Sequence, residues 1–498
     1  MLSIRRFAPE TIVLSVFFCS RVAYYLSGIH FDAGPVVHFW QFIDPALMRS
    51  DLLRSLFYLH MQPPGFNLFV GIVVKLFPYR YAPVLHSVYL ICGIVSTVLI
   101  MRLMACMGVS RNVAVVFTAI LIVSPGFVIT ENVATYEYPI MTLLLIATFA
   151  LQSLIATERF RWSALFFSTL LVLFYIRNEF HVVYIVVIAA ALLYWCPRIR
   201  PTVVSTAVPA ICAALALYFK NWLIFGLFTA STWLGMNLGV VTTFQLTPDE
   251  ANHLIAEGML SPVARIRPFS KFSAYRDLIP IPPKTGLPIL DETTTSTGHP
   301  NFNAIAYLPV HALYTHDAKV VLRHFPRAYL RSCAVAWFTY FLPASDVWDY
   351  DDTRRHIGTF DRIFSAVFFG KFRAADNRKG LRSIETSGHT STLIFYTGFY
   401  LLVLLPVVFL WGVAQIILPA RRARWQNRQV AVLCFAIFNI AFVTGVSNFL
   451  SSFENNRYRF PLDPLFTILA AMAVTCLVRS VNGDGHALLK PGPDSTKS

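Results

Sequence analysis

The chain has 498 residues, of which 56% are hydrophobic and only 13% charged, with a mean hydropathy of +0.59. A soluble domain carries about 25% charged residues, so this composition excludes a soluble globular protein and predicts an all-α polytopic membrane protein. The formal net charge is +15; in an apolar chain that surplus reads as Arg and Lys orienting helices in a bilayer rather than as a nucleic-acid surface. The eight cysteines lie mostly inside apolar segments and form no C-x-x-C pair, so neither a zinc site nor a disulfide framework is indicated.

Spans of about 20 apolar residues are expected at 11–29, 83–104, 113–130, 138–156, 162–177, 180–196, 202–224, 391–418, 429–450 and 461–479. The first lacks a small-residue cleavage site and reads as a retained helix rather than a signal peptide. Segment 65–78 is short and reads as re-entrant or interfacial, and 327–343 carries Arg327 and Arg331 and ends in Pro343. With both counted the bundle has about 10–12 helices. Arg5 and Arg6 place the N-terminus in the cytosol, and ten spans keep Arg102/Arg111, Arg159/Arg161, Arg198/Arg200 and the 421–428 run on that same side. The basic run from Lys371 to Lys379 then lies outside, in a loop long enough to escape the orientation rule.

This topology divides the chain into an N-terminal membrane module, 1–224, with a first outer loop at 30–64. A long extracytoplasmic region, 225–390, follows, then C-terminal helices over 391–481 and a Gly-, Pro- and Lys-containing tail, 482–498, expected to be disordered. Apolar residues between Val36 and Leu59 recur near helical spacing, which predicts amphipathic helices on the membrane surface. The long region is Pro-rich (Pro280, Pro282, Pro283, Pro288) and reads as a lid or small subdomain.

The polar residues gather on the expected outer side. Asp32 stands just beyond the first span, where a carboxylate can take a proton from a hydroxyl nucleophile or merely solvate the boundary. His60 and Gln62 precede Pro63-Pro64, either lining a polar cavity or closing an interfacial turn. Glu131, Glu137 and the turn Arg177-Asn178-Glu179 sit at helix ends, where an Arg beside a Glu forms a structural pair or holds an anionic phosphate. The densest run is Glu454-Asn455-Asn456-Arg457-Tyr458-Arg459-Phe460-Pro461-Leu462-Asp463-Pro464, whose arginines at a membrane face suit a lipid phosphate. Arg21, inside the first span, either snorkels, pairs within the bundle or approaches the cavity.

The order of first helix, Asp32, amphipathic stretch, Gln62-Pro63-Pro64 and the late Glu454-x-x-Arg457-Tyr458-Arg459-Phe460-Pro461 run resembles the GT-C superfamily of integral-membrane glycosyltransferases. Within it the chain is similar to the dolichyl-phosphate-mannose protein mannosyltransferases and the bacterial aminoarabinose transferases. The resemblance implies a GT-C-like helix bundle that moves a sugar from a polyprenyl or dolichyl phosphate to an acceptor hydroxyl on lipid, glycan or protein. It implies inversion with Asp32 as base, Glu131 or Glu137 as a second acid, and Arg177, Arg457 and Arg459 against the leaving phosphate. No nucleotide leaves, so no cofactor is required; whether a divalent metal takes part is left open. The chain departs from the pattern at Ala33-Gly34, where many members have an acid after the Asp, and at Met61-Gln62, where the aminoarabinose branch has an acidic–basic pair. The expected location is a bacterial inner membrane with the site facing the periplasm. A transporter or flippase of lipid-linked sugars, or an O-antigen ligase or polymerase, is the alternative; a transporter would show broken helices or charges at mid-membrane.

Overall fold

The computed structural model describes residues 9–347, 350–371, 398–423, 426–452 and 454–481. The expectations for Arg5, Arg6, Arg424, the basic run after Lys371 and the tail 482–498 lie outside them. The described chain is helical almost throughout; its β-structure is two isolated bridges, Asp32 with Val133 and Thr294 with Pro300.

Among the described residues six helices are long and apolar enough to cross a membrane: Tyr81–Cys106, Glu137–Thr157, Pro197–Phe225, Phe399–Ile417, Asn427–Leu450 and Asn455–Val481. A seventh crossing is made if Arg111–Val123 and Pro125–Glu131, bent by 56° at Ser124, count together. Ser124 explains the break: its hydroxyl caps the second piece by accepting from Phe127 N, and Pro125 occupies the first helical position. Gly65–Leu76, Phe160–Ile176 and Val182–Trp195 are apolar but shorter, at 12, 17 and 14 residues. The protein is thus an all-α polytopic membrane protein.

Glu137–Thr157 is the hub, packing against Tyr81–Cys106, Phe160–Ile176, Asn427–Leu450 and the Phe460–Leu462 turn. One end of the bundle collects the basic connections. There Gln429 Nε2 donates to the Cys106 carbonyl at 2.9 Å and the Arg479 guanidinium to the Gly108 carbonyl at 3.2 Å. The opposite end collects the polar residues described below.

The loop expected on the outer side, 30–64, folds as three short helices, Pro35–His38, Pro45–Ser50 and Leu52–Phe57. It leans on the described part of the long region, which is largely helical, with Leu234–Val241, Pro248–Ala256, Tyr307–His324 and Pro326–Tyr340 as its main elements. Trp40 enters an aromatic nest of Trp233, Phe269 and Phe302, with ring centroids 5.2–6.1 Å apart. Asn303 Oδ1 accepts from His60 N at 2.7 Å and Met61 N at 3.1 Å, fixing the end of the loop.

Candidate functional site

The link between helices at 132–136 organises the site. Asp32 N–H donates to the Asn132 carbonyl at 2.7 Å, and Ala134 N–H donates to the Asp32 carbonyl at 2.9 Å. This bridge seats the first outer loop on the N-terminal end of the hub helix. The half-buried Asp32 carboxylate accepts from Gly34 N–H through Oδ1 at 2.7 Å, and its other oxygen makes no hydrogen bond among the described residues. Gly34 leaves room for this arrangement: a Cβ would stand 2.8 Å from Asp32 Oδ1 and 3.1 Å from His38 Cε1, so either side chain would have to shift.

Glu131 belongs to a separate, deeper contact. It is fully buried and takes both Arg21 Nε at 2.9 Å and Arg21 Nη2 at 2.7 Å, with the Tyr138 hydroxyl at 2.5 Å. The guanidinium lies 3.8 Å from the Phe17 ring centroid. Arg21, left open between three roles by the sequence, therefore pairs within the bundle. A bidentate pair with further hydrogen bonds is what makes two buried charges tolerable in an apolar phase. A Cβ on Gly93 would meet Glu131 Oε2 and Tyr138 Oη at 2.7 Å, so the glycine lets the Tyr81–Cys106 helix close over the pair.

The main cluster joins three parts of the chain. Arg457 donates from Nε to Glu137 Oε1 at 2.5 Å, from Nη1 to Glu454 Oε2 at 3.0 Å and from Nη2 to the Tyr136 hydroxyl at 3.1 Å. Arg177 places Nε 3.2 Å from Glu179 Oε2 and Nη1 4.0 Å from Glu137 Oε1. Its guanidinium faces the Tyr136 ring at 4.7 Å and the Tyr458 ring at 4.2 Å. Burial pushes the Glu179 carboxyl up to about 7; Arg177 opposes this and Glu137 adds to it. Burial likewise raises Glu454, with Arg457 opposing. Asn178 is half-buried in the same turn. Glu137, Arg177, Glu179, Glu454, Arg457 and Tyr458 are thus brought together, and Tyr136, which sequence reasoning missed, sits between the two arginines.

Three expected residues stand elsewhere. Arg459 is 1% exposed and committed to Asp463 at 2.9 Å and to the carbonyls of Tyr340 and Leu342. Two residues past Arg457 on one helical turn, it faces the other way. His60 is fully buried, 3.0 Å from Thr232 Oγ1 and 4.6 Å from the Phe225 ring centroid. Burial, with His311 and Lys220 nearby, pushes it down to about 3, so it is a neutral ring that ties the loop to the long region. Gln62 is buried in that same turn. Among the described residues no three His, Cys, Asp or Glu side chains are arranged to hold a metal ion.

No protein-family model matches the chain, and no curated protein matches it. The site therefore has to be read from its own chemistry. It offers a half-buried carboxylate, Asp32, with an unengaged oxygen at the polar end of an apolar bundle. Beside it lies a buried network in which each arginine already has a carboxylate.

Proposed function

We propose that the chain is a glycosyltransferase of GT-C-like architecture, acting at the outer face of a bacterial inner membrane. Its donor is a sugar on a polyprenyl phosphate, and its acceptor is a hydroxyl of a lipid, glycan or protein. The observation that carries this reading is Asp32: two backbone hydrogen bonds fix its main chain, the Gly34 N–H holds one carboxylate oxygen, and the other oxygen stays unengaged among the described residues. A positioned carboxylate of this kind can take the proton of an attacking hydroxyl. The hydroxyl oxygen then bonds the anomeric carbon from the face opposite the phosphate, the carbon–oxygen bond to phosphate breaks, and the lipid phosphate departs with inversion. Fixed guanidiniums in a low-dielectric site would stabilise the charge that develops on it. The ten-span topology expected from the basic loops belongs to this proposal, with the bent pair at Ser124, Phe160–Ile176, Val182–Trp195 and Pro9–Leu26 added to the six long helices and Gly65–Leu76 left as the interfacial or re-entrant piece.

The test uses the full chain in nanodiscs with a panel of polyprenyl-phosphate sugars, reading free polyprenyl phosphate for wild type and Asp32→Asn. Release by wild type that Asp32→Asn abolishes supports the assignment; equal release by both removes Asp32 from the chemistry. A second reading, a transporter of lipid-linked sugars, is favoured by the 56° break at Ser124 and by the buried Arg21–Glu131 pair. It predicts movement of labelled lipid-sugar across liposomes without phosphate release.

A further inference from the structure

The polar cluster has an imbalance that the transfer reaction alone does not use. Two guanidiniums, Arg177 and Arg457, face three carboxylates, Glu137, Glu179 and Glu454. With all five ionised the cluster carries one negative charge, and an arriving phosphodiester would make it two in a buried setting. Isolated buried charge is costly unless it is paired or neutralised by a proton. Glu179 is the member placed to change. It is 7% exposed, its Oε2 touches Arg177, and its Oε1 has no hydrogen-bond partner among the described residues. Glu137 also has one oxygen without a partner, but its other oxygen is held by Arg457 at 2.5 Å and lies 4.0 Å from Arg177, and Glu454 is held by Arg457 at 3.0 Å; among the described residues Glu179 has Arg177 alone.

Resting on the lipid-phosphate reading above, we propose that Glu179 is a positioning residue that latches Arg177. A phosphodiester that draws the guanidinium away from Glu179 is bound together with one proton, which the freed carboxylate takes from solvent. The cluster's net charge is then the same before and after binding. The Tyr136 and Tyr458 rings make the exchange feasible. They hold the faces of the guanidinium, leaving its N–H edge to serve either the carboxylate or a phosphate. Among the described residues the groups around Glu179 offer no substitute cation. From the hub helix comes Glu137, a like charge, and from Val182–Trp195 comes Tyr184, whose hydroxyl is spent on Asn439 Oδ1 at 2.7 Å. From Pro326–Tyr340 comes Tyr340, bonded to Thr444 Oγ1 at 2.7 Å. Arg457 is engaged with the other two acids. Burial already pushes Glu179 up to about 7 with Arg177 in contact, and losing that contact moves it further up.

The experiment is calorimetric titration of the full chain in nanodiscs with farnesyl methyl phosphate, a diester that keeps one negative charge around neutrality. Running it at about pH 7.5 in buffers of different ionisation heat gives the protons taken up per ligand. Wild type is expected to take up roughly 0.7 proton and to bind more weakly as pH rises. Glu179→Gln, which keeps shape and hydrogen bonding, is expected to bind with no uptake and no pH dependence. Binding by wild type without uptake, or uptake that survives in Glu179→Gln, overturns the latch and leaves the lipid-phosphate reading standing. No binding by either protein overturns both.

Discussion

Arg457 meets Glu137 at 2.5 Å although the two stand 320 residues apart in the chain. The contact ties the helical turn at Asn455–Arg459 to the N-terminus of the hub helix, and both side chains are buried. Removing one partner leaves an uncompensated buried charge, so Arg457→Met is expected to cost about 3–5 kcal/mol. Replacing both, as Arg457→Met with Glu137→Gln, removes the orphan charge at Glu137 and should recover part of that loss, the more exposed Glu454 carboxylate remaining without its guanidinium. Thermal unfolding in detergent of the four proteins of this cycle measures the coupling. Strictly additive losses would show that the pair does not hold these elements together.

Asp32 and Gly34 give a test that separates position from presence. Asp32→Asn removes the proposed base and is expected to lower the proposed transfer by about 10²–10⁴-fold. Gly34→Ala keeps the carboxylate but sets a methyl where Oδ1 lies 2.8 Å away. Gly34 has helical dihedrals, φ −51° and ψ −38°, so alanine is conformationally acceptable and folding should be little affected. A displaced base can cost about 100-fold. The expected result is transfer lowered by about 10- to 100-fold at a nearly unchanged unfolding temperature. Full activity in Gly34→Ala would mean that the Asp32 geometry is not what the reaction needs.

These residues also show what could be seen in the chain beforehand. The apolar runs gave the long helices because length and hydropathy are local properties. Glu137, Arg177, Glu179, Glu454, Arg457 and Tyr458 could be grouped because each ends or precedes an apolar run, and helix ends of one bundle meet at its faces. Arg459 could have been set aside on the same grounds, since residues two apart on a helix do not share a side. The Arg21–Glu131 pair was not legible: 110 residues separate the partners, and nothing local tells a pairing arginine from one that snorkels. Nor was the seat of His60, because its partners Thr232 and Asn303 lie in a region whose fold depends on non-local packing. The break at Ser124-Pro125, inside an expected span, did carry a local signal in its proline and capping serine.

The pH dependence of stability follows from Glu179. Its carboxyl stands at about 7 in the folded protein against the usual 4.5, so the native state holds more protons than the unfolded chain between those values. Stability therefore falls as pH rises through that window and levels off above it. The Glu179 share is roughly 3 kcal/mol, and Glu454, also raised, slopes in the same direction. Comparing wild type with Glu179→Gln by thermal unfolding between about pH 5 and pH 8 isolates the share. The difference should grow toward the alkaline end in favour of Glu179→Gln. Parallel pH profiles for the two proteins would remove Glu179 as a titrating group.

Asp44 clasps the 30–64 loop to the 293–300 segment. It caps Pro45–Ser50 by accepting from Ala46 N at 2.8 Å, and the same carboxylate takes Ser296 N at 2.6 Å and Ser296 Oγ at 2.5 Å. Thr297 Oγ1 adds a bond to the Val37 carbonyl at 3.0 Å, and His299 lies 6.2 Å from His38, which packs on Gly34 beside Asp32. Losing a cap costs about 1 kcal/mol, and because the contact is exposed, solvent can satisfy the freed serine. Asp44→Ala is thus expected to loosen the clasp without unfolding the bundle. Hydrogen exchange should quicken at 293–300 and at 44–50 while the Glu137–Thr157 helix keeps its protection. Asp44→Asn, which retains one acceptor oxygen, should fall between the two. If exchange at 293–300 is the same in Asp44→Ala as in wild type, that loop is held by its own turn and the aromatic nest rather than by Asp44.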